Sequence, residues 1–239
     1  MDDAAIQRAL TAHGHPLTAD GIKGPLSSAA IAAFQLRKGL VFDVGERTLA
    51  ALAEPPQGSR AKALLLAVAP RFTGAKAVRQ AEIIDQVAPV FFATLDRYAI
   101  TGRLRVAHFV AQVCHESAGF RTTEEFASGD AYEGRLDLGN TERGDGRRFK
   151  GRGLLQLTGR ANYREYGAAF GIDLEAEPAR AAEPELSLAI ACEYWARRRI
   201  NEPADRDDIP AVTRRVNGGL NGLADRRVLL TKAKAAIPA

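Results

Sequence analysis

Between residues 106 and 113 the apolar side chains fall at Val106, Phe109, Val110 and Val113, the three-and-four spacing of a helix that buries one face. The same period recurs in "IQRALTAHG", "SSAAIAAFQLRKG" and "ERTLAALA" near the N-terminus. It returns in "AKALLLAVAPR", "AEIIDQVAPVFFATLDRYAI", "LRVAHFVAQVCHES", "RANYREYGAAFG", "PELSLAIACEYWARRR" and "IPAVTRRVNGG" further on. Alternation with period two is scarce, so the pattern predicts an all-α protein with at most a small hairpin in its glycine-rich middle. The helical patterns break at "AEPPQGSR", residues 53 to 60, where prolines, a glycine and a serine cluster. The expected organisation is a small three-helix module over 1–55, a linker over 56–62 and a larger, mainly helical domain over 63–239. Within the module, "DGIKGPLSSAAIAAF" is echoed by "DVGERTLAALA", which reads as a small internal repeat.

One polar residue interrupts the apolar pattern. Glu116 lies seven residues after Phe109 and three after Val113, on the apolar face, while His108, Gln112 and His115 form a neighbouring polar stripe. A carboxylate on a buried face loses hydration, which disfavours its charged form. Such a group can hold a proton near neutral pH, as a general acid must. The alternatives are a helix-end glutamate that leans into water, or one paired with an arginine.

The central stretch "FKGRGLLQLTGRANYREYG", residues 149 to 167, has a second chemistry. Gly151, Gly153 and Gly159 let a ligand approach the backbone closely, and Gln156, Thr158, Asn162 and Tyr163 supply uncharged hydrogen-bonding groups. That mixture suits hydroxyl and acetamido groups better than phosphates, for which a lysine directly after the last glycine is expected. The alternative is an ordinary glycine turn before an amphipathic helix.

The 239 residues are 46% hydrophobic and 26% charged, with no low-complexity tract, which is the composition of a globular protein of one large or two unequal domains. No apolar run approaches the roughly 20 residues that span a membrane, so no membrane insertion is expected. The opening "MDDAAIQRAL" does not resemble a signal peptide, so synthesis in the cytoplasm is expected. Two cysteines, Cys114 and Cys192, sit in helical, apolar surroundings and read as buried thiols rather than a bridge or a nucleophile. His13, His15, His108 and His115 lack a compact ligand spacing, so a structural metal site is not expected. Residues 1–56 carry five Lys/Arg against six Asp/Glu, and the rest carry 28 against 23. The excess crowds at Arg143, Arg147, Arg148, Lys150, Arg152, Arg160 and Arg164, which predicts a basic concave surface for an anionic polymer. With 7% aromatic residues and no nucleic-acid signature, a cell wall is expected as the partner and nucleic acid is not.

Residues 4 to 53 resemble the three-helix peptidoglycan-binding modules of bacterial and phage wall hydrolases. The resemblance rests on Asp20-Gly21, Gly24-Pro25, Phe34-Gln35, Gly39-Leu40, Asp43, Thr48 and Leu49, with Asp20, Gly21, Phe34 and Gln35 as the implied wall-binding positions. Here "FDVGERT" is shorter than the family's second loop and lacks the glycine after Asp43.

"HES", "FKGRGLLQLTGRANY" and "VNGG" together resemble the family-nineteen glycoside hydrolases, that is, plant-type chitinases and, more closely, bacteriophage lysozymes. This resemblance covers roughly residues 80 to 230 and implies a lysozyme-like, mainly helical catalytic domain. With the N-terminal module in front, the whole chain resembles a modular phage endolysin. The resemblance implies that Glu116 donates a proton to the glycosidic oxygen and that a second carboxylate activates water from the opposite side. In an inverting enzyme the two carboxyl groups stand about 6.5–9.5 Å apart. The base is expected at Glu125 in "TTEEF", with Glu124 and Glu133 as alternatives, although Thr122-x-x-Glu125 is also a capping-box pattern. The resemblance further implies that Thr158 holds water or sugar and that Gln156, Asn162, Tyr163 and Asn217 bind acetamidosugars. Arg152 and Arg226 are weaker picks, since a salt-bridged arginine looks the same in sequence. The segment "ASGDAYEGRLDLGNTERGDGRRFK" is shorter than in many phage relatives, which implies a more open cleft.

The implied reaction is hydrolysis of the β-1,4 bond between N-acetylmuramic acid and N-acetylglucosamine, by inversion and without cofactor. Bacterial peptidoglycan would be the partner and host cell lysis the outcome. A chitinase, a non-catalytic wall-binding protein, and an amidase or endopeptidase are the competing readings. The resemblance also implies a monomer held in the host cytoplasm until a holin opens the way to the periplasm and cell wall.

Overall fold

The computed structural model describes residues 1–40, 45–54 and 56–238, so Asp43 of the second N-terminal loop lies outside the described residues. The described residues are helical, with no strand longer than an isolated bridge. The chain divides into two compact units, Met1–Arg60 and Ala61–Ala239.

In the first unit, α1 (Asp3–Ala12), α2 (Pro25–Arg37) and α3 (Glu46–Ala53) enclose Leu10, Ala30, Phe34 and Leu52. Asp2 caps α1 by accepting from the Ala5 amide at 2.6 Å, and Pro25 opens α2 where a missing N–H is harmless. Phe34 is buried with His13 edge-on at 5.0 Å, and Gln35 donates to Thr48 at 3.1 Å inside the unit. The two residues therefore hold helices together rather than face a wall polymer, because α2 turns both toward the small core.

The second unit begins inside α4 (Gln57–Val68), which starts where a linker is expected. The Pro56 carbonyl accepts from the Arg60 amide at 3.0 Å, so the helix extends back through Gly58 and Ser59. The single helix expected from Ala81 to Ile100 is two, α5 (Ala75–Val87) and α6 (Phe91–Arg97), split at Pro89, which has no N–H to give and clashes with the preceding turn. Next comes α7 (Arg103–Glu116), whose residues Val106 to Cys114 are all buried. It is thus enclosed on every side rather than amphipathic, and the polar stripe is interior. After the short α8 (Asp145–Arg148) follow α9 (Arg160–Phe170), α10 (Pro184–Arg197), α11 (Asn201–Asp205), α12 (Ile209–Asn217) and α13 (Leu223–Ala236). Helix α13, which the periodicity does not predict, lies along α7.

The core around α7 includes Phe91, Phe109 and Trp195, the last two edge-to-face at 5.3 Å. A second cluster, Phe149, Tyr163, Tyr166, Leu174 and Ile190, supports the glycine-rich middle. Several arginines of that region face carboxylates of the same unit, whereas Arg148 donates to the Glu175 carbonyl at 2.7 Å. Arg160 meets Asp145 at 2.5 Å and Arg164 meets Glu175 at 2.5 Å, and Arg147 pairs with Asp130. Part of the expected basic patch is thus engaged in local ion pairs, because intervening acidic residues fold back onto those cations.

Candidate active site

A cleft of about 560 Å³ opens at the C-terminal end of α7, lined by Glu116, Tyr132, Gln156, Thr158, Asn162, Tyr166, Tyr194, Arg198 and Asn217 among others. Its floor comes from the glycine-rich stretch. Arg152 and Leu157 exchange backbone hydrogen bonds of 3.0 and 2.6 Å around a tight turn, the remnant of the expected hairpin. The turn leaves Gln156 at φ 54°, a left-handed conformation that costs a residue with a side chain of order 1 kcal/mol. A glycine is needed at 159, and Gly151 lies close against two side-chain ends. A Cβ on Gly151 would stand 2.6 Å from Gln156 Oε1 and 3.1 Å from Glu125 Oε2, and Gly159, at φ 92°, would meet Leu138 at 2.6 Å.

Glu116 is not in the wholly apolar setting its position predicts. Its Oε1 accepts a charge-assisted hydrogen bond from Arg226 Nη2, while Arg226 also donates to Gln112 Oε1 and, at 3.2 Å, to the Asn221 carbonyl. The polar stripe thus supplies part of a cradle for a buried guanidinium, because a cation without partners would be too costly at that depth. This is the arginine-paired alternative. Two residues from the same stripe are also tied: His108 Nε2–H donates to Asp207 at 2.8 Å, and His115 Nδ1 shares a hydrogen bond with Asp225 at 2.6 Å.

The three candidates for the second carboxylate have different surroundings. Glu125 accepts from the Tyr132 hydroxyl at 3.0 Å and the Gly151 amide at 3.1 Å. Tyr132 lines the cleft, whereas Glu125, bonded to its hydroxyl, is not among the lining residues. No helix begins at Thr122, whose hydroxyl instead closes a local turn with Glu124. The capping-box pattern is therefore not used as a cap. Glu124 faces Lys150 and Arg152, each at 3.2 Å. Glu133 accepts from the Gly144 and Gly146 amides at 2.7 and 2.9 Å, which fixes the entry to α8. Burial raises the Tyr132 phenol, as does, to a lesser extent, its bond to Glu125, so it stays a donor.

Among the predicted sugar-binding residues, Gln156, Thr158, Asn162 and Asn217 come together in the cleft wall. Thr158 Oγ1 donates to the Gln156 carbonyl at 2.9 Å, and Asn162 Nδ2 donates to the Thr158 carbonyl at 2.6 Å. Asn217 bridges the Gly219 amide and the Asn221 carbonyl. Tyr163 does not line the cleft. It is buried, its hydroxyl donates to the Lys150 carbonyl at 2.7 Å, and burial pushes its phenol up to about 12. Arg152 is likewise interior, donating to Tyr163 Oη at 3.1 Å and the Arg148 carbonyl at 2.7 Å. The α9 period sets Tyr163 inward because it follows Asn162 by one residue, about a hundred degrees round the helix. Arg226 is buried too, but its contact with Glu116 keeps it at the site.

Tyr132, Tyr194, Arg198 and Gln112 escaped the sequence reading as site residues. Only Gln112 had a signal, its place in the polar stripe. In the first unit Gln7 was also missed. It donates to Asp20 Oδ1 at 2.8 Å and accepts from the Gly21 amide at 2.9 Å, which clamps the Asp20-Gly21 loop. Cys114 and Cys192 are free and buried, and burial lifts the Cys114 thiol to about 12, so it carries no thiolate near neutral pH.

Residues 79–215, more than half of the chain, match the family 19 glycosyl hydrolases, described as chitinase class I. Residues 2–52 match a peptidoglycan binding domain. A glycosyl hydrolase family 19 domain-containing protein of Haemophilus influenzae is 30% identical over 165 residues, covering 56% of this chain and 80% of that protein. An endochitinase of Arabidopsis thaliana is 32% identical over 141 residues, covering 54% of this chain and 50% of the plant protein. The chain thus spans about half the length of that plant relative. Chitinase C of Streptomyces griseus shares the fold, with a TM-score of 0.54 at 20% identity over 77% of this chain and 78% of that one. The chain belongs to glycoside hydrolase family 19 and carries an N-terminal peptidoglycan-binding domain.

Proposed function

We propose that the protein hydrolyses the β-1,4 bond between N-acetylmuramic acid and N-acetylglucosamine in bacterial peptidoglycan, with inversion at the anomeric carbon. The observation that carries this reading is the union, in one chain, of a peptidoglycan-binding domain and a family 19 cleft with Glu116 in its wall. In this mechanism Arg226 holds Glu116 Oε1, and Oε2 delivers its proton to the leaving 4-oxygen. Glu125 takes a proton from water, whose oxygen attacks the anomeric carbon from the opposite face. The Tyr132 hydroxyl and the Gly151 amide orient Glu125. Its placement beside Tyr132 supports it over Glu124, engaged by two cations, and Glu133, engaged by two amides. Thr158 would hold the water or the sugar, while Gln156, Asn162 and Asn217 would bind acetamido groups. Tyr163 and Arg152 support this floor from behind.

The deciding experiment is mass spectrometry of products from purified sacculi, with colloidal chitin digested in parallel. New N-acetylmuramic acid reducing ends support the proposal, whereas new N-acetylglucosamine ends, or release from chitin alone, overturn it. The second reading is chitin hydrolysis, favoured by the likeness to the Arabidopsis endochitinase and the Streptomyces chitinase.

We also propose a lytic role in which the enzyme stays in the host cytoplasm until a holin lets it reach the wall. Expression with and without a holin tests this: rapid lysis only with the holin supports it, and equal lysis without one defeats it.

A further inference from the structure

Arg197, the last residue of α10, is followed by Arg198 and Arg199, and two of these three arginines are neutralised. Arg197 meets Glu193 at 2.5 Å and also pairs with Glu165, and Arg199 pairs with Glu202. Arg198, between them, is exposed and lines the cleft, and among the described residues no carboxylate lies within salt-bridge distance of it. It is the sole cationic side chain among the described residues lining that cleft. Its guanidinium lies over the Tyr194 ring, 4.3 Å from the centroid, and the Tyr194 hydroxyl is anchored on the Val216 carbonyl at 2.5 Å. The ring therefore presents the guanidinium in a fixed plane, and a planar fork held by its face keeps its N–H edges available for a bidentate acceptor.

The ligand chemistry follows from this. A chitin chain is neutral, so a lone cation in the cleft wall gains no charge pairing from it. Muramic acid carries at its 3-oxygen a lactyl group that ends in a carboxylate when free and in a peptide bearing carboxylates when substituted. We propose that Arg198 is a specificity-determining residue that binds a carboxylate carried on the 3-O-substituent of a muramic acid residue, and so favours peptidoglycan over chitin. The inference rests on the peptidoglycan reading above. Unlike Glu116 and Glu125, Arg198 takes no part in bond cleavage, so its effect is on which polymer is held.

The test measures affinities in the full-length Glu116→Gln chain, where turnover is blocked and any contribution of the N-terminal domain is shared by every variant. The ligands are chitotetraose, the peptide-free alternating muramyl tetrasaccharide, and the same tetrasaccharide with its stem peptides. The readout is the ratio of Kd for chitotetraose to Kd for each muramyl ligand. Adding Arg198→Gln is expected to lower that ratio about tenfold, and Arg198→Lys, which keeps the charge but not the fork, to lower it less. Loss with the peptide-free ligand identifies the lactyl carboxylate. Loss only with the peptide-bearing ligand identifies a stem carboxylate. A ratio near one in the parent, an unchanged ratio, or a parallel fall in all three affinities overturns the proposal. Should the active chain cleave chitin but not sacculi, the proposed function falls by itself, and the ratio still decides the role of Arg198.

Discussion

Glu116 and Arg226, 110 residues apart in sequence, meet as an ion pair in which the guanidinium is 2% exposed and the carboxylate 20%. The asymmetry matters. The cation is deep in the α7–α13 interface, held also by Gln112 and the Asn221 carbonyl, whereas the anion reaches the cleft. One partner secures the fold and the other is available to substrate.

Glu116→Gln is expected to lower kcat on sacculi at least a hundredfold, the scale of a lost general acid. The amide oxygen still accepts from Arg226, so circular dichroism and binding to sacculi should be retained. A variant keeping more than a few percent of the lytic rate would remove Glu116 from the acid role.

Arg226→Ala should act on stability first, because it leaves Gln112 Oε1 and the Glu116 carboxylate without their cation. Breaking such a pair costs about 3 kcal/mol. Urea unfolding measures this, and a double-mutant cycle with Glu116→Gln should show coupling. Strict additivity would mean that the pair contributes nothing.

The three neighbouring glutamates should separate by phenotype. Glu125→Gln is expected to abolish turnover, and azide should restore part of it to Glu125→Ala with an α-glycosyl azide as product, because azide, like the water it replaces, attacks the anomeric carbon from the face opposite the β-linked leaving group. Glu124→Gln should retain activity within severalfold. Glu133→Gln should lower stability by about 1 kcal/mol through weakened backbone capping, with little change in kcat. Full activity in Glu125→Gln would transfer the base role elsewhere.

Stability should fall on acidification in two stages. Burial holds the His108 imidazole below its ordinary 6.5, outweighing the opposing bond to Asp207 and reinforced by the nearby Lys234 charge. The unfolded chain therefore takes up this proton first, so the stabilisation from neutral His108 is complete above about pH 6.5 and is lost as pH falls below it. Asp145 and Glu175 are held below 3.8 and 4.5 by hydrogen bonds from Arg160 and Arg164, which adds a further loss in the carboxylate range. Urea midpoints at pH 7.5, 5.5 and 4 test the order. In His108→Gln the drop between pH 7.5 and 5.5 should shrink, and an undiminished drop would exclude His108 as its source.

Much of the fold was legible because helix formation leaves a local trace. Apolar spacing marked most of the helices, and Pro89, overlooked in that spacing, explains why one expected helix is two. Helix α13 was missed because "LADRRVLLTKAKAA" mixes charge through its apolar positions. The glycines of "FKGRG" and "LTG" announced close backbone approach, which the turn at Arg152–Leu157 and the tight contacts of Gly151 and Gly159 bear out.

By itself, the sequence determined the helical class, the family and which residue types could bear chemistry, because these depend on periodicity and on short motifs. Only the tertiary structure decided which of them share a surface. Tyr163 turned inward while its neighbour Asn162 faced the cleft, and Arg198 has no carboxylate partner among the described residues while Arg197 and Arg199 found glutamates. The physical reason is that a side chain's direction and its charge partners are set by packing between distant segments, of which the local spacing of residues carries no record.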